Sequence, residues 1–155
     1  MIKNYLGFLI ITLMASGCAS TKAENEYTNL PVTQNELKSS KWAELVRFPA
    51  RYPESAVMNS IEGCVTVEYV VTPQNEVKDI KVITTTEKEF GLAAAKVVKS
   101  WKWSDLPKGI ITQAVKTQTR FDFCFDKQNQ SCTTIKPKYS CPSDDIIYST
   151  GMRIN

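Results

Sequence analysis

The fold is decided by residues 64–72, which have the sequence CVTVEYVVT. Successive side chains of an extended strand point to opposite faces, so this stretch would have one apolar face and one mixed face. The apolar face carries Val65, Val67, Tyr69 and Val71, and the other carries Cys64, Thr66, Glu68, Val70 and Thr72. The alternation predicts a β-strand that lies on a hydrophobic core.

A second strand follows the first one after a turn. Residues 73–76 predict the turn, because Asn75 tolerates a positive φ. The apolar residues that mark the returning strand are Val77, Ile80, Val82 and Ile83. Together the two strands predict an antiparallel hairpin.

Helices are predicted on both sides of the hairpin. Residues 52–61 predict a short helix that has Pro53 in its first turn and ends at Gly63. Residues 87–103 predict an amphipathic helix, because lysines lie opposite an apolar stripe that consists of Phe90, Ala94, Val97 and Trp101. The stripe favours a core position for Trp101 over a role in ligand binding.

A third strand is predicted by Phe121, Phe123 and Phe125, which alternate with other residues. The elements predict an α+β fold, a two-layer sandwich in the order α-β-β-α-β. A right-handed crossover through the longer helix would place the third strand beside the first. The predicted sheet is therefore three-stranded and antiparallel, with strand order 2-1-3 and the third strand at an edge.

The composition restricts the function. The 155 residues are 43% hydrophobic and 23% charged, which fits one soluble domain with tails. The net charge of +3 comes without a dense basic cluster, so nucleic acid is not expected as a partner. Because the sequence has no histidine, the usual activated nucleophiles are excluded, and we predict neither an enzyme nor a cofactor.

The first residues resemble a bacterial lipoprotein signal. Residues 1–17 combine Lys3 with an apolar run and with small residues before Cys18. The apolar run has about ten residues, fewer than the roughly 20 that a spanning helix needs. The resemblance implies acylation of Cys18 and, with Ala19 after it, a lipid anchor in the outer membrane that faces the periplasm. Residues 18–46 are mostly polar and predict a lipidated N-terminus and a flexible tether.

The remaining cysteines, Cys64, Cys124, Cys132 and Cys141, predict two disulfides in an oxidising compartment. A metal site is not expected, because CxxC spacing is missing.

The apolar pattern selects one pairing of these cysteines. Setting Val65 opposite Phe123 pairs core residues, and the same register sets Cys64 opposite Cys124 and Glu68 opposite Arg120. We therefore predict a Cys64–Cys124 bridge. Cys132 and Cys141 would then close a disulfide-tied extension over residues 127–155.

Four blocks of sequence, in their order and spacing, resemble the TonB C-terminal domain family. They are PARYPESA at 49–56, IEGCV at 61–65, VKDIKV at 77–82 and AAAKVVKSWKW at 93–103. The resemblance runs from residue 49 to about residue 125, and we predict a TonB C-terminal-like domain over residues 47–126. It implies a periplasmic binding module.

In this family the domain pairs its last strand with the short N-terminal box of an outer-membrane transporter, and some members bind peptidoglycan. The resemblance implies that the partner-binding residues are Arg51, Tyr52, Pro53, Thr117, Thr119, Phe121 and Phe123. An edge strand suits this role, because its unpaired N–H and C=O groups can bind an extended peptide. The expected partners are an outer-membrane transporter or another envelope protein, with peptidoglycan as a further candidate.

The chain also departs from the family's energy transducers. Those proteins have a spanning helix with a histidine and a proline-rich spacer, whereas this sequence has a lipoprotein-like signal and no histidine. We therefore expect a binding module related to outer-membrane transport, not a motor component. The alternative is a structural envelope lipoprotein or a peptidoglycan-binding domain without a transport role, in which the extension covers the edge strand.

Replacing Cys18 tests the predicted anchor. Cys18→Ser removes the thiol that would be acylated, so we expect complete loss of lipid labelling and accumulation of the unprocessed precursor. Metabolic labelling with a palmitate analogue measures the first effect, and gel mobility measures the second. Ser20→Ala is the control, and labelling of Cys18→Ser at the wild-type level would contradict the lipoprotein interpretation.

Overall fold

The computed structural model describes residues 27–127 and 130–152, which contain one mixed four-stranded sheet. The strands are β1 (Gly63–Val71), β2 (Val77–Thr85), β3 (Val115–Phe125) and β4 (Ile146–Gly151). The α-helices are α1 (Glu54–Met58), α2 (Lys88–Ser100) and α3 (Cys132–Ile135), and short 3-10 helices span Glu36–Lys38, Ser40–Trp42 and Trp103–Asp105. The predicted signal and Cys18 lie outside the described residues.

The α+β class and the antiparallel order 2-1-3 of the first three strands are confirmed. The prediction of a three-stranded sheet with β3 at its edge is wrong. β4 pairs in parallel with residues 120–125 of β3, so the sheet order is β2-β1-β3-β4. A parallel partner needs a long return connection, and residues 126–145 supply it.

The register between β1 and β3 differs from the predicted register by two residues. Val65 lies opposite Phe121 and not opposite the predicted Phe123. Both registers put the same side chains on the same face, because side-chain direction repeats every two residues. The predicted pairing of Glu68 with Arg120 is not formed, since Thr66 lies opposite Arg120.

The predicted disulfide pairing is also wrong. Cys64 is bonded to Cys141, and Cys124 is bonded to Cys132. The shift of two residues places Asp122, not Cys124, opposite Cys64. All four cysteines form disulfides as predicted, but both bonds join the extension to the central strands of the sheet.

One face of the sheet packs against α2 and the segment before α1. Phe90 of α2 stacks on Phe123 of β3, with ring centroids 4.1 Å apart. The Tyr52 ring meets both of these rings edge-on, at 5.7 and 5.3 Å. These aromatic contacts fix the segment before α1 against the sheet.

The tryptophans after α2 are core residues. Trp101 and Trp103 are 3% and 4% exposed, and their indole N–H groups donate to the carbonyls of Phe48 and Val98. Trp42 packs edge-on against Trp103, with ring centroids 6.4 Å apart. Both indoles are buried, and both N–H groups have an acceptor. The predicted core position of Trp101 is therefore confirmed, and Trp103 is a core residue as well.

The folded domain begins before residue 47, which is the boundary that the sequence pattern predicts. Leu37, Trp42 and Leu45 are buried and belong to the hydrophobic core. Upstream of them, Val32 forms a parallel bridge with Lys116 of β3. The predicted tether of residues 18–46 therefore includes residues that are part of the folded domain.

The extension covers the sheet face that lies away from α2. The Tyr139 hydroxyl donates to the Phe123 carbonyl at 3.3 Å, and the Thr66 hydroxyl donates to the Pro142 carbonyl at 2.6 Å. Thr66 and Asp122 on this face are fully buried. The sheet face away from α2 is therefore also covered by protein, even though it carries polar side chains.

Removing each disulfide in turn tests the observed pairing. The chain-entropy estimate depends on loop length, and the loops span 77 and 8 residues. We expect Cys64→Ser with Cys141→Ser to lower the free energy of unfolding by about 4.5 kcal/mol, and Cys124→Ser with Cys132→Ser by about 2.5 kcal/mol. Urea denaturation measures both values, and peptide mapping of the unreduced protein checks the pairing. A Cys64–Cys124 peptide would contradict the structure.

Candidate functional site

The β3 residues predicted to bind a partner are buried. Thr117 is 1% exposed, and Thr119, Phe121 and Phe123 are fully covered. Both phenylalanines belong to the hydrophobic core. The two threonine hydroxyls donate hydrogen bonds to other segments of the same chain, at 2.8 and 2.7 Å. In this conformation the four side chains are not accessible to a partner.

The outer backbone edge of β3 is covered as well. Near its start, the Thr33 N–H donates to the Lys116 carbonyl at 2.8 Å. Further along, the Arg120 N–H donates to the Asp145 carbonyl at 2.8 Å, and β4 then pairs with the rest of the strand. The edge that was predicted to bind an extended peptide is thus occupied by two segments of the chain itself.

Asp145 holds the start of β4 in place. Its carboxylate is buried and accepts two hydrogen bonds from Nη1 of Arg47, at 2.9 and 2.6 Å. The Thr119 hydroxyl also donates to it at 2.7 Å, and that hydroxyl lies 2.8 Å from the hydroxyl of the buried Tyr69. Burial raises the pKa of Tyr69 well above its usual value, so this hydroxyl stays neutral. The cluster joins the extension, β3, β1 and the N-terminal segment.

A second buried ion pair lies on the covered face. The Arg120 guanidinium donates from Nε and Nη2 to the two carboxylate oxygens of Asp122, at 2.6 and 2.9 Å. Its Nη1 donates to the Cys141 carbonyl at 3.0 Å. Burial raises the pKa of Asp122, and the hydrogen bonds and charge of Arg120 oppose that shift. Arg120 therefore connects β3 to the residue that is bonded to Cys64.

Gly151 ends β4 at a position without room for a side chain. A Cβ atom built on this residue would lie 2.6 Å from Cε1 of Phe125 and 2.9 Å from Cε2 of Tyr52. These distances are shorter than a carbon–carbon contact allows, and both neighbours are aromatic rings. The last position of β4 therefore requires glycine.

The predicted residues Arg51, Tyr52 and Pro53 line a groove of about 1020 Å³. The groove runs between α2 and the segment that leads into α1. It is lined by Phe48, Pro49, Arg51, Tyr52, Pro53, Glu54, Val57, Glu89, Leu92, Ala93, Lys96, Val97 and Ser100. The structure brings these three predicted residues together in the groove, whereas the four predicted residues of β3 are buried. The two sets meet at one point, where the Tyr52 ring contacts Phe123.

Tyr52 is fixed at the base of this groove. Its hydroxyl donates to the Ile61 carbonyl at 2.6 Å, and its ring packs against Phe123 and Phe125. Burial, and the nearby charge of Glu62, raise the pKa of Tyr52 well above its usual value. The Tyr52 hydroxyl therefore stays neutral, and the residue forms part of the groove lining. Leu92 on the opposite wall is 63% exposed.

Comparison with known proteins identifies the domain. Residues 49–125 match the family described as the Gram-negative bacterial TonB protein C-terminal. This chain belongs to the TonB C-terminal domain family. Members of this family are interaction modules of the cell envelope with a transport-related function. The match indicates no catalytic family. No helix among the described residues is long and apolar enough to cross a membrane.

Two solved TonB C-terminal domains are similar to this chain. The solution structure from Helicobacter pylori has 29% sequence identity and a TM-score of 0.39, and the match covers 47% of this chain and 77% of that one. The solution structure from Pseudomonas aeruginosa has 21% identity and a TM-score of 0.45, with coverage of 55% and 87%. No curated protein matches this chain.

Sequence reasoning missed the residues that close the β3 edge of this TonB C-terminal domain. Arg47 lies at the predicted domain boundary, and Asp145 and Gly151 lie in the extension, for which the sequence pattern predicts no secondary structure. The available signal was an apolar triplet, Ile146-Ile147-Tyr148, between an acidic residue and a glycine. A triplet without alternation does not distinguish a strand from a loop, so the pairing was not predicted.

A neutral substitution tests the ion pair at the start of β4. Asp145→Asn keeps the shape of the side chain but removes the charge that Arg47 binds, so we expect a loss of about 2 kcal/mol in the free energy of unfolding. The matched control is Asp144→Asn at the neighbouring exposed position, which should change stability by less than about 0.5 kcal/mol. Equal effects in urea denaturation would contradict this role of Asp145.

Proposed function

We propose that this chain is a lipid-anchored, periplasm-facing binding module related to transport across the outer membrane. In this proposal it docks a short apolar segment of an outer-membrane transporter or another envelope protein. The docking surface is the groove between α2 and residues 48–57. The observation that carries the proposal is that β3 is covered by the chain's own β4, whereas Arg51, Tyr52 and Pro53 line an open groove.

The walls of the groove suit an apolar segment. Tyr52 and Val57 on one side face Leu92 and Val97 of α2 on the other. The exposed leucine and the tyrosine ring on the two walls give a partner apolar area to bury, at roughly 25 cal/mol for each Å². Charged side chains of both signs, from Arg51, Glu54, Glu89 and Lys96, stand around these apolar residues and would set the orientation of the segment.

The proposed anchor would hold the module close to its membrane. Cys18 is the acylation site in this proposal, and Thr33 is already attached to β3. The chain between these two residues reaches at most about 50 Å when fully extended. The groove would therefore sample partners at the membrane surface, which fits a transporter or another envelope protein. The periplasmic and outer-membrane placement rests on the lipoprotein-like signal.

The second candidate function is that of a structural envelope lipoprotein or a peptidoglycan-binding domain. The covered β3 edge favours it, because two disulfides and a buried ion pair hold the covering segment in place. In that case the groove has no protein partner, and the domain contributes to the envelope through its anchor and its surface.

Photo-crosslinking in the native envelope tests the groove. A benzophenone amino acid replaces Leu92 in the groove or Ile135 of α3 as the control; these side chains are 63% and 40% exposed. We expect position 92, and not position 135, to crosslink one defined outer-membrane transporter or other envelope protein. Crosslinks to peptidoglycan alone, or the same products from both positions, would support the second candidate and contradict the first.

A charge in the groove gives an independent measurement. Leu92→Glu places a carboxylate where the proposed segment buries apolar side chains, so we expect at least about tenfold weaker binding of the crosslinked partner. Ile135→Glu is the matched control on α3 and should leave binding unchanged. Equal affinities of the two variants in a binding assay with the purified partner would contradict the groove as the docking surface.

A further inference from the structure

β4 binds to β3 in the way that a separate extended peptide would. Its residues pair in parallel along one side of the strand, from Arg120 opposite Ile146 to Phe125 opposite Gly151. The other side of β3 pairs with β1 over residues 115–123. Addition of a strand to an open sheet edge is a general mode of peptide recognition, and here the added strand comes from the same chain.

Residues 145–151, which are Asp145 followed by β4, fit features of the β3 edge. Its first residue, Asp145, gives a carboxylate to Arg47 and Thr119. Ser149 is small and 1% exposed, and Gly151 lies against two aromatic rings that exclude any Cβ. The acidic residue and the glycine six positions later are therefore matched to their sites, and a small, buried serine lies between them.

The two disulfides hold this segment beside the edge. Cys132 is fixed to the end of β3 through Cys124, and Cys141 is fixed to β1 through Cys64. All four cysteines are at most 3% exposed, so the bonds are shielded from thiols in solution. Burial favours a permanent attachment over a redox switch.

The attachment gives β4 a large advantage over a free peptide. Only residues 142–144 separate the fixed Cys141 from Asp145. A short linker gives an effective concentration on the order of millimolar or more, about 100 times that of a competing peptide at 10 μM. A partner with equal contacts would therefore not displace the segment.

We propose that residues 145–151 are an intramolecular ligand that closes the parallel strand-docking edge of β3. An extended segment replaces them only if it presents the same acidic, small and glycine positions and if their own contacts are weakened. This inference concerns the β3 edge and does not depend on the proposed groove. It explains why a domain of this family carries an extension that is cross-linked to its two central strands.

The test uses the full chain and a fluorescein-labelled peptide with the sequence of residues 144–152. Gly151→Val in the protein introduces a Cβ that clashes with Phe125 and Tyr52, so the end of β4 should leave the edge. The double variant with Asp145→Asn should release both ends. Met152→Val is the control, because this neighbouring side chain is 85% exposed.

We expect the peptide to bind the double variant at least tenfold more tightly than it binds the wild type or the Met152→Val control. The same peptide carrying Gly151→Val should bind at least tenfold more weakly than the unmodified peptide. Hydrogen exchange of the Arg120 amide reports on the edge directly. It should be slow in the wild type, fast in the double variant, and slow again when the peptide is bound.

Three results would overturn the proposal. Equal peptide affinity for the wild type and the double variant would mean that β4 does not close the edge. Absence of binding to a variant whose Arg120 amide exchanges rapidly would mean that the edge does not bind strands. An Arg120 amide that stays protected from hydrogen exchange in the double variant would mean that Asp145 and Gly151 do not hold residues 145–151 on the edge. Near-UV circular dichroism of the buried tryptophans confirms that each variant keeps its core.

Discussion

The hydrogen-bonding requirement of β3 is the constraint on which the structure depends. Its phenylalanine side chains are buried in the core, and its backbone must find partners on both sides. β1 supplies one side, and the segments around Thr33 and β4 supply the other. Because β4 arrives in parallel, the chain after β3 must travel back along the sheet. That return path explains the extension, its cover over the second face, and its two attachments.

The opposite edge of the sheet is protected in a different way. β2 is the outer strand there, and its pairing with β1 is interrupted by two register shifts. Asp79 lies at one of them with a φ of 49°, and Ile83, at the other, is 46% exposed. Bulges of this kind bend and twist a strand, which makes it a poor template for another strand. One edge is therefore filled and the other is irregular, whereas the groove beside α2 is a concave surface that is open in the described part of the chain.

The sequence predicted β1, β3 and α2 because the periodicities of strands and helices differ. Alternation identified β1 and β3, and the helical stripe from Phe90 to Trp101 identified α2. The register was beyond this method, since a shift of two residues keeps every side chain on its face and leaves the apolar pairing equally good. Phe121 and Phe123 are equally good apolar partners for Val65, so the apolar pattern alone selected the wrong register, and the Cys64–Cys124 bridge was then inferred from that register.

The remaining differences have a common physical cause. Arg47, Asp145 and Gly151 act through contacts between segments that are far apart in sequence, and no local pattern encodes such contacts. The same limit applies to the N-terminal segment, whose polar composition indicated a tether although Leu37 and Trp42 are buried.

The residues predicted from the family resemblance now divide between two surfaces that share one side chain. Tyr52 lines the groove, and its ring also borders the site of Gly151 at the end of β4. Its hydroxyl is held by the Ile61 carbonyl and its ring by Phe90 and Phe123, so it cannot turn toward one surface without leaving these contacts. The groove and the closed edge therefore share one side chain, which a hydrogen bond and close-packed aromatic neighbours hold in a single position.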